Sequence, residues 1–431
     1  MDARLKLALM MLAPVFWFSC GSGPAQEGST YLVSDLEREP GDVQSPETLD
    51  QVARNNEFAL AMYARVATGM DTNRFFSPLS LTFAMGMVHG GIRGGIISEF
   101  EAVFGFPPAG PHAALNAIEQ QVEGVSDSTT TVRFENGLFI DPELHPTRDY
   151  LDLLAQYYGL GIHVVPVVLD PDAAADVMNR WVRERTAGLI EEMIFPTDLQ
   201  DAEFVLLNTL YFKAVWKVEF DPEYTWEQSF TRDDGTVVRL EMMWAEPGTW
   251  FRGLETDGMK VVAIPYERNQ LEFIAFMPTA GGLTTLEQQL NPAWLQEQLG
   301  SISHGDSRCP DTLTLPKFEV TTRQEDLFEL LADMGLESLR TDGYEYYGLP
   351  SSRGSTRILR ILQESRIKVN EGGTEAASAT AVIGGPIDGG VDGDDAGPVC
   401  QPRHFILDRP FFYLIRETST GSILFMGKFV G

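Results

Sequence analysis

The chain has 431 residues, of which 44% are hydrophobic and 10% aromatic, so it can bury a sizeable core and is not a disordered protein. Asp and Glu total 62 against 32 Lys and Arg, which gives a net charge of −30. A surface of that sign repels phosphate backbones and anionic lipid, so we expect no nucleic-acid partner and no charge-driven membrane binding.

The first 20 residues have the pattern of an export signal. Two basic residues precede an apolar run from Leu7 to Phe18, which is too short to span a bilayer. Ser19-Cys20-Gly21 resembles a bacterial lipoprotein cleavage site, although an aromatic pair stands where that pattern prefers Leu and a small residue. We therefore predict a signal peptide at 1–20, with Cys20 as a lipid acceptor that would anchor the protein without spanning the membrane. The alternative is simple secretion with cleavage nearby. In either case the protein is expected outside the cytoplasm, in an extracellular, cell-surface or periplasmic location.

Residues 21–47 are rich in Gly, Ser, Pro and Glu and are predicted to be a flexible tether. The remaining residues, 48–431, are predicted to be one folded domain. Helical spacing of apolar residues comes first, and the predicted helices lie at 49–67, 81–91 and 173–190, the last ending at Gly188. Strands predominate afterwards, and the predicted strands lie at 204–216, 271–278, 311–320 and 366–370, with a hairpin turning at Ser419-Thr420-Gly421. Helices followed by strands indicate an α+β fold.

Residues with small side chains predominate between Asn370 and the hairpin strand that starts at Phe411. Residues 371–383 are small and tolerate an extended backbone, whereas 384–398 are glycine-rich and acidic. A loop of this length in a compact domain is usually functional or disordered. Its aspartates lack the register of a calcium loop, so we interpret them as solvated.

Enzyme motifs are missing from the sequence. It has no G-x-S-x-G and no H-E-x-x-H, its terminal GSILFMGKF lacks the spacing of a P-loop, and no two histidines or cysteines stand at metal-ligand spacing. We therefore predict neither an enzyme, nor a metal site, nor a cofactor.

Ordered sequence blocks carry a resemblance to a known family. The hinge-like NEGGTEAASATA (370–381) is followed by DRPFFYLIRETSTGSILFMGK (408–428), and six blocks precede them in order: FFSPLS (75–80), ENGLFI (135–140), MNRWVRERTAGLI (178–190), LLNTLYFKAVW (206–216), LTLPKF (313–318) and LLADMGL (330–336). Over residues 48–431 the chain resembles the serpins, which are inhibitors of serine proteases.

The resemblance implies three β-sheets, eight or nine helices and an exposed reactive-centre loop at about 371–404. A target serine protease, or less favourably a cysteine protease, would attack the loop and form an acyl-enzyme. The cut loop would then insert into the large sheet as a new strand and distort the trapped protease. The chain is expected to be a monomer whose uninserted fold is metastable. The alternative is a non-inhibitory serpin-fold carrier or surface protein.

Resemblance assigns ten residues to the hinge and the inserting strand: Glu371, Gly372, Gly373, Thr374, Glu375, Ala376, Ala377, Ser378, Ala379 and Thr380. Alternate side chains of an inserted strand face the core, and the inward set from Thr374 to Thr380 is small and uncharged. Glu375 would face the other way and stay in solvent. The two glycines would let the hinge change conformation at low steric cost.

The resemblance also implies roles for residues where the sheet must part. Ser77, Ser80 and Asn208 match the shutter. Trp216 matches the breach, where the loop first enters, and Lys317 with Glu371 matches an ion pair there. The chain departs from the family at Gln363, where many members have histidine; because glutamine can still hydrogen-bond across the strands, we expect altered opening rather than loss of function.

The scissile bond is predicted from its usual distance beyond the hinge glycine, which gives Ile387–Asp388. A β-branched aliphatic residue there favours elastase-like or subtilisin-like proteases. Because the loop is longer than usual, Val382, Ile383 and Val391 remain alternatives, and cleavage at Arg403 by a trypsin-like protease is disfavoured by its closeness to the next strand. By family topology, Cys309 and Cys400 lie near the same end of the molecule, so we predict a disulfide between them.

Overall fold

The computed structural model describes residues 28–67, 69, 71–188, 190–200, 202–305, 309–324, 327–341, 346–351, 360–374 and 401–431. Within these residues nine α-helices occur: α1 (Pro46–Val66), α2 (Pro78–Gly91), α3 (Ile96–Phe104), α4 (His112–Glu123), α5 (Arg148–Tyr158), α6 (Pro171–Arg185), α7 (Gly282–Glu287), α8 (Pro292–Ser301) and α9 (Leu327–Asp333).

The same residues form 18 strands: β1 (Thr30–Leu32), β2 (Arg74–Phe76), β3 (Thr130–Ile140), β4 (Ile162–Val164), β5 (Phe204–Val215), β6 (Thr225–Thr231), β7 (Val237–Gly248), β8 (Arg252–Glu255), β9 (Met259–Pro265), β10 (Leu271–Pro278), β11 (Ser303–His304), β12 (Asp311–Pro316), β13 (Phe318–Gln324), β14 (Arg360–Asn370), β15 (Gly373–Thr374), β16 (His404–Ile406), β17 (Phe411–Glu417) and β18 (Ile423–Phe429).

The described strands form three sheets. The large sheet has the order β1-β4-β3-β5-β15-β14-β13, the second has the order β11-β8-β9-β10-β17-β18-β2, and the third has the order β16-β12-β7-β6. The predicted α+β fold, with three sheets and eight or nine helices, is therefore confirmed.

Helix α2 shows how local sequence positions the core of the site. Ser77 caps the helix by accepting a hydrogen bond from Ser80 N, and Pro78 occupies its first turn, where a missing N–H costs nothing. All but one of the helix residues are buried, and the helix contacts β5 of the large sheet and β18 of the second sheet. The N-terminus of α2 is thus fixed beneath the large sheet.

Two sequence predictions differ from the structure in detail. Residues 311–320 were predicted as one strand, but β12 ends at Pro316 and β13 begins at Phe318 in a different sheet. Pro316 has no N–H to continue a ladder, so the chain leaves one sheet and enters the next around Lys317. Helix α6 ends at Arg185, three residues before the predicted Gly188, because the Thr186 backbone leaves helical geometry.

Part of the segment predicted as a tether folds onto the body. Strand β1 pairs antiparallel with β4 and adds an edge strand to the large sheet. Farther along, Glu39 N donates to Gln156 O at 2.8 Å, and the Arg38 side chain pairs with buried Glu119. Residues 1–27, including Cys20, lie outside the described residues. In the part of the chain that is described, no helix has both the length and the apolarity needed to cross a bilayer.

Candidate functional site

Among the residues that the structure describes, the large sheet has a gap between its two central strands, β5 and β14. At one end β5 and β14 pair in parallel, with Val205 to Asn208 opposite Arg360 to Gln363. At the other end the two-residue strand β15 is wedged between them. Between these points β5 is paired with β3 and β14 with β13, and a cavity lined by residues of both strands and by Thr374 lies in the gap. The two central strands are therefore paired with each other at one end of the gap, and at the other end β15 already lies between them.

Below the gap, the predicted shutter residues meet in one buried network. Asn208 Nδ2 donates to Ser80 O at 2.9 Å, and Ser80 Oγ donates to Asn208 Oδ1. Gln363 Nε2 donates to Ser77 O at 2.9 Å and to Asn208 Oδ1 at 3.3 Å, while Ser77 N donates to Gln363 Oε1 at 3.3 Å. Gln363 is 2% exposed, so its amide bridges β5, β14 and the start of α2 inside the core. The Gln363 amide thus makes hydrogen bonds across the two strands, as its chemistry allows.

Above the gap, the hinge turn is held by three neighbours. Trp216 is buried, its Nε1 donates to Asn370 O at 2.9 Å, and its backbone N donates to Gly372 O at 3.0 Å. Lys317 Nζ lies 3.2 Å from the Glu371 carboxylate, which also accepts from Thr225 Oγ1 at 3.0 Å. Trp216 and Lys317, which were predicted for the breach, therefore both contact the turn at residues 370–372.

Burial acts to raise the pKa of Glu371. Hydrogen bonds from its own backbone, from Thr225 and from Lys317, with the positive charge of Lys317, outweigh burial and hold that pKa below its ordinary value. The carboxylate is therefore charged at neutral pH.

Gly373 and Thr374 are already inside the sheet. A Cβ on Gly373 would lie 2.1 Å from Ala214 O, so no larger residue fits while the two backbones keep this approach. Thr374 is 2% exposed, and its Oγ1 lies 2.6 Å from the hydroxyl of Tyr266. The first residue of the predicted inserting strand is thus hydrogen-bonded in a strand position.

Tyr266 is a residue of this site that the sequence did not reveal. It follows β9, is fully buried and stacks on Trp216 with ring centroids 4.6 Å apart and planes 9° apart. The signal that could have found it is weak: an aromatic residue directly after a buried strand, which is common in cores. Burial raises the pKa of the Tyr266 hydroxyl, which therefore stays protonated and able to donate.

The far end of the loop is fastened to the third sheet. Arg403 donates from its backbone N and its guanidinium to Asp311, whose side chain is 3% exposed, and Arg403 O accepts from Thr312 N at 3.0 Å. The side chain is thus engaged by a buried carboxylate, which disfavours Arg403 as a cleavage site. Cys309 is disulfide-bonded. Glu375 to Thr380, Ile387, Asp388 and Cys400 lie outside the described residues, as do Val382, Ile383 and Val391.

Residues 53–431 match the family model described as "Serpin (serine protease inhibitor)". The chain belongs to the serpin family. Among curated serpins, it is 29% identical to neuroserpin of Homo sapiens over 385 residues, which cover 86% of this chain and 89% of neuroserpin. It is 30% identical to Iripin-3 of Ixodes ricinus over 379 residues, 87% of this chain and 93% of Iripin-3.

Solved structures show the same serpin fold. The native state of tengpin, a thermophilic serpin, matches with a TM-score of 0.78 and 20% identity, covering 94% of this chain and 99% of tengpin. Thyroxine-binding globulin in complex with thyroxine matches with a TM-score of 0.74 and 23% identity, covering 89% of this chain and 99% of that protein. Serpins as a family are protease inhibitors rather than enzymes. The same fold therefore occurs in a thyroxine-binding protein, so the fold by itself does not decide the activity.

No group of three or more His, Cys, Asp or Glu side chains is placed to hold a metal ion in the described part of this serpin. The side chains that do converge are hydrogen-bonding groups of the shutter and the breach. They hold strands together at either end of the gap.

Proposed function

We propose that this serpin is an inhibitory, suicide-substrate inhibitor of serine endopeptidases. The observation that supports the proposal best is the gap in the large sheet, which β15 has already begun to fill. A strand continuing from Thr374 would run antiparallel to both β5 and β14 and complete the sheet. The segment that follows Thr374 in the sequence is small at alternate positions, as this path requires.

Insertion supplies the free energy for trapping the protease. Each ladder hydrogen bond that the new strand makes is worth roughly 0.5–1.5 kcal/mol net, and the strand has a neighbour on both sides. While the loop is uncut, its far end is held at Arg403 and Thr312, so the strand is prevented from running its full length. Cleavage frees the end of the inserting segment, which is how a metastable fold is coupled to attack by the target.

The target protease would begin an ordinary acyl transfer. Its serine attacks the scissile carbonyl and forms an ester with the new C-terminus of the inserting segment. Insertion then carries the ester-linked protease along the sheet and displaces its catalytic groups before water attacks. Ile387–Asp388 is the proposed reactive bond, and an aliphatic residue on the acyl side favours elastase-like or subtilisin-like enzymes; cysteine proteases are a second target class.

Export is part of the proposal. Residues 1–20 would direct the chain out of the cytoplasm, with lipid on Cys20 as the proposed anchor, so that the inhibitor meets proteases outside the cell. No second chain is needed for the mechanism, which agrees with a monomeric inhibitor.

The direct test is formation of an SDS-stable complex with pancreatic elastase and with subtilisin. Thr374→Arg should abolish the complex and leave a cleavable substrate, because a guanidinium has no room in the position that Thr374 occupies beside Tyr266. Thr374→Ser, which keeps the hydroxyl, is the matched control and should still trap the protease. If both proteases cleave the unaltered protein and neither forms an SDS-stable complex with it, the non-inhibitory carrier is favoured instead.

A further inference from the structure

One folded segment lies across the outer face of the large sheet, on the side away from the main core. Residues 171–188 and 190–199, which include α6 and are here called the cover, are joined to each other by hydrogen bonds between the Asn179 side chain and the backbone of the second range. Thr186 and Ile190 line the cavity that lies in the gap. The cover therefore lies over the path that the inserting strand is proposed to take.

Ion pairs fasten the cover on both sides of the gap. On one side, Arg185 Nε lies 3.3 Å from a carboxylate oxygen of Glu135 on β3. On the other side, Arg323 Nη2 of β13 donates to Asp198 Oδ2 at 3.0 Å, and the guanidinium lies 4.8 Å from the centre of the Phe195 ring. All four charged side chains are between 20% and 24% exposed. The two ion pairs are thus matched in exposure, and they differ in the half of the sheet that they hold.

Both ion pairs are anchored at the level where the gap begins. Glu135 lies opposite Thr209 of β5, and Arg323 lies opposite Glu364 of β14. Thr209 and Glu364 are the first residues beyond the part in which β5 and β14 pair directly. At this level the cover therefore joins β3 to β13 across the gap.

Filling the gap must separate these two anchoring points. At Thr374 a strand already lies between β5 and β14, whereas these two strands pair directly at the other end of the gap. A strand that continues from Thr374 to that end would move β14 away from β5 by up to one strand spacing, about 4.8 Å. Because β3 is paired with β5 and β13 with β14, Glu135 and Arg323 would separate by a similar distance. The cover can then follow only one half of the sheet, and one of the two ion pairs must break.

Apolar packing decides which half the cover follows. The Trp181 ring of α6 packs edge-on against Phe139 of β3, with ring centroids 5.8 Å apart, and Val205 and Leu207 of β5 belong to the same buried cluster. A Cβ on Gly137 of β3 would lie 2.9 Å from Trp181 Cζ2, so the helix lies directly on this strand. No described member of the cluster comes from β13 or β14. The cover therefore stays with β3 and β5, and the ion pair to β13 is the one that breaks.

We propose that Asp198 and Arg323 form a latch across the gap, which holds the two halves of the large sheet together in the uninserted state and is released when the cleaved loop inserts. The inference rests on the inhibitory function proposed above. The two residues are positioning residues, because they act on the sheet and not on the scissile bond. The pair formed by Arg185 and Glu135 moves with the cover and persists in both states.

The melting temperatures of the uncleaved and the cleaved protein test the latch. The loop is cut by a non-target protease, and both forms are heated in the same concentration of urea. Arg323→Gln should lower the melting temperature of the uncleaved protein by about 1–2 °C, as expected for a partly exposed ion pair, and should leave the cleaved protein unchanged. A contact that merely supports the fold would be lost from both forms alike.

Arg185→Gln is the matched control. It removes an arginine of similar exposure that also lies over an aromatic ring, that of Trp181. Because this ion pair persists, the substitution should lower the melting temperatures of both forms by about the same 1–2 °C. The comparison is made at pH 8, because burial raises the pKa of Glu135 to about 7 and the control pair must be charged.

A second variant keeps the test independent of one substitution. Asp198→Asn removes the charge and keeps a side-chain oxygen for Phe195 N, which donates to Asp198 at 2.9 Å. It should reproduce the effect of Arg323→Gln. The double variant should be no less stable than the weaker single variant, because both substitutions remove the same interaction.

Each outcome bears on one claim. A loss confined to the uncleaved protein for Arg323→Gln, with an equal loss in both forms for Arg185→Gln, supports the latch. Equal losses in both forms for Arg323→Gln and Asp198→Asn, or no loss in either form, would show that the latch is wrong while the inhibitory function stands. If the unaltered protein gains no stability on cleavage and traps no protease, the inhibitory function itself is wrong.

Discussion

Lys317 Nζ lies 3.2 Å from the carboxylate of Glu371, at the point where the hinge turns into the large sheet. Lys317 stands between β12 and β13, where the chain passes from one sheet to another. Glu371 stands between β14 and β15. The ion pair therefore joins the β12–β13 connection to the turn between β14 and β15.

Glu371→Gln should destabilise the uncleaved protein slightly. The pair is partly exposed, so its loss is expected to cost up to about 1 kcal/mol and to lower the melting temperature by about 1–2 °C. Because the folded-state pKa of Glu371 is depressed, the contribution exists above the ordinary glutamate pKa and is lost as pH falls through the folded-state value. Thermal unfolding at pH 7 and pH 3 should show a difference that disappears in acid. Glu223→Gln, at an exposed position, is the control, and a difference that grows in acid would contradict the assignment.

Gln363→Ala should destabilise the uncleaved protein much more. The substitution removes the amide that bonds to Ser77 and Asn208 and leaves a cavity among buried polar groups, at a cost of about 2–4 kcal/mol. Urea unfolding of the uncleaved protein measures the loss. Gln289→Ala, at an exposed position whose amide bonds to one backbone carbonyl, should change the unfolding free energy by less than about 0.5 kcal/mol. Equal effects of the two substitutions would show that the shutter network contributes little.

His89 makes the fold sensitive to acid. Burial, followed by the charge of Arg93, lowers the pKa of His89 to about 4, and burial next to His89 and Arg93 lowers that of His112 to about 3. Between pH 6.5 and 4 these two histidines take up protons in the unfolded chain but not in the folded protein, so their contribution to stability should fall as pH drops through that range.

His89→Leu should flatten this pH dependence. Among the described residues neither ring nitrogen of His89 has a hydrogen-bond partner, and the ring packs against Phe100 and Phe106. Leucine should therefore raise the melting temperature most at pH 5 and least at pH 8. The exposed His145→Leu is the control. An equal gain at both pH values would indicate better packing rather than removal of a proton-binding group.

Cys309 is expected to pair with Cys400. Strands β12 and β16 run parallel, with Thr312 opposite His404. Three residues before each of these, Cys309 corresponds to residue 401, which directly follows Cys400 in the sequence. After cleavage at Ile387–Asp388, the C-terminal fragment should stay covalently attached until a reductant is added. Mass analysis with and without reductant checks this, with Cys309→Ser as the control. Free thiols at both positions in exported protein would rule the pairing out.

The sequence predicts the hinge because blocks that match the family surround it. Read alone, a run of small residues after two glycines would also suit an inert linker, whereas Trp216, Lys317 and Asn208 lie in recognisable blocks. The strand at 204–216 could also be predicted, because its sequence is a nearly continuous apolar run. The end of β12 and the start of β13 on either side of Lys317 could not be predicted, because the pattern of apolar residues continues across the change of sheet.

Tyr266 could not be found in the sequence for a different reason. Tyr266 is far from Thr374 along the chain, so no spacing links the two residues, and only the fold brings their hydroxyls to 2.6 Å.

The measurement closest to the central claim is the melting temperature before and after the loop is cut. A non-target protease should cleave between residues 381 and 398, and the cleaved protein should be compared with the uncleaved protein at equal concentration. An inserted strand adds ladder hydrogen bonds of roughly 0.5–1.5 kcal/mol each on two sides, so cleavage should raise the melting temperature sharply. Thr374→Arg should abolish most of the rise. An unchanged or lower melting temperature after cleavage of the unaltered protein would contradict insertion of the loop into the large sheet.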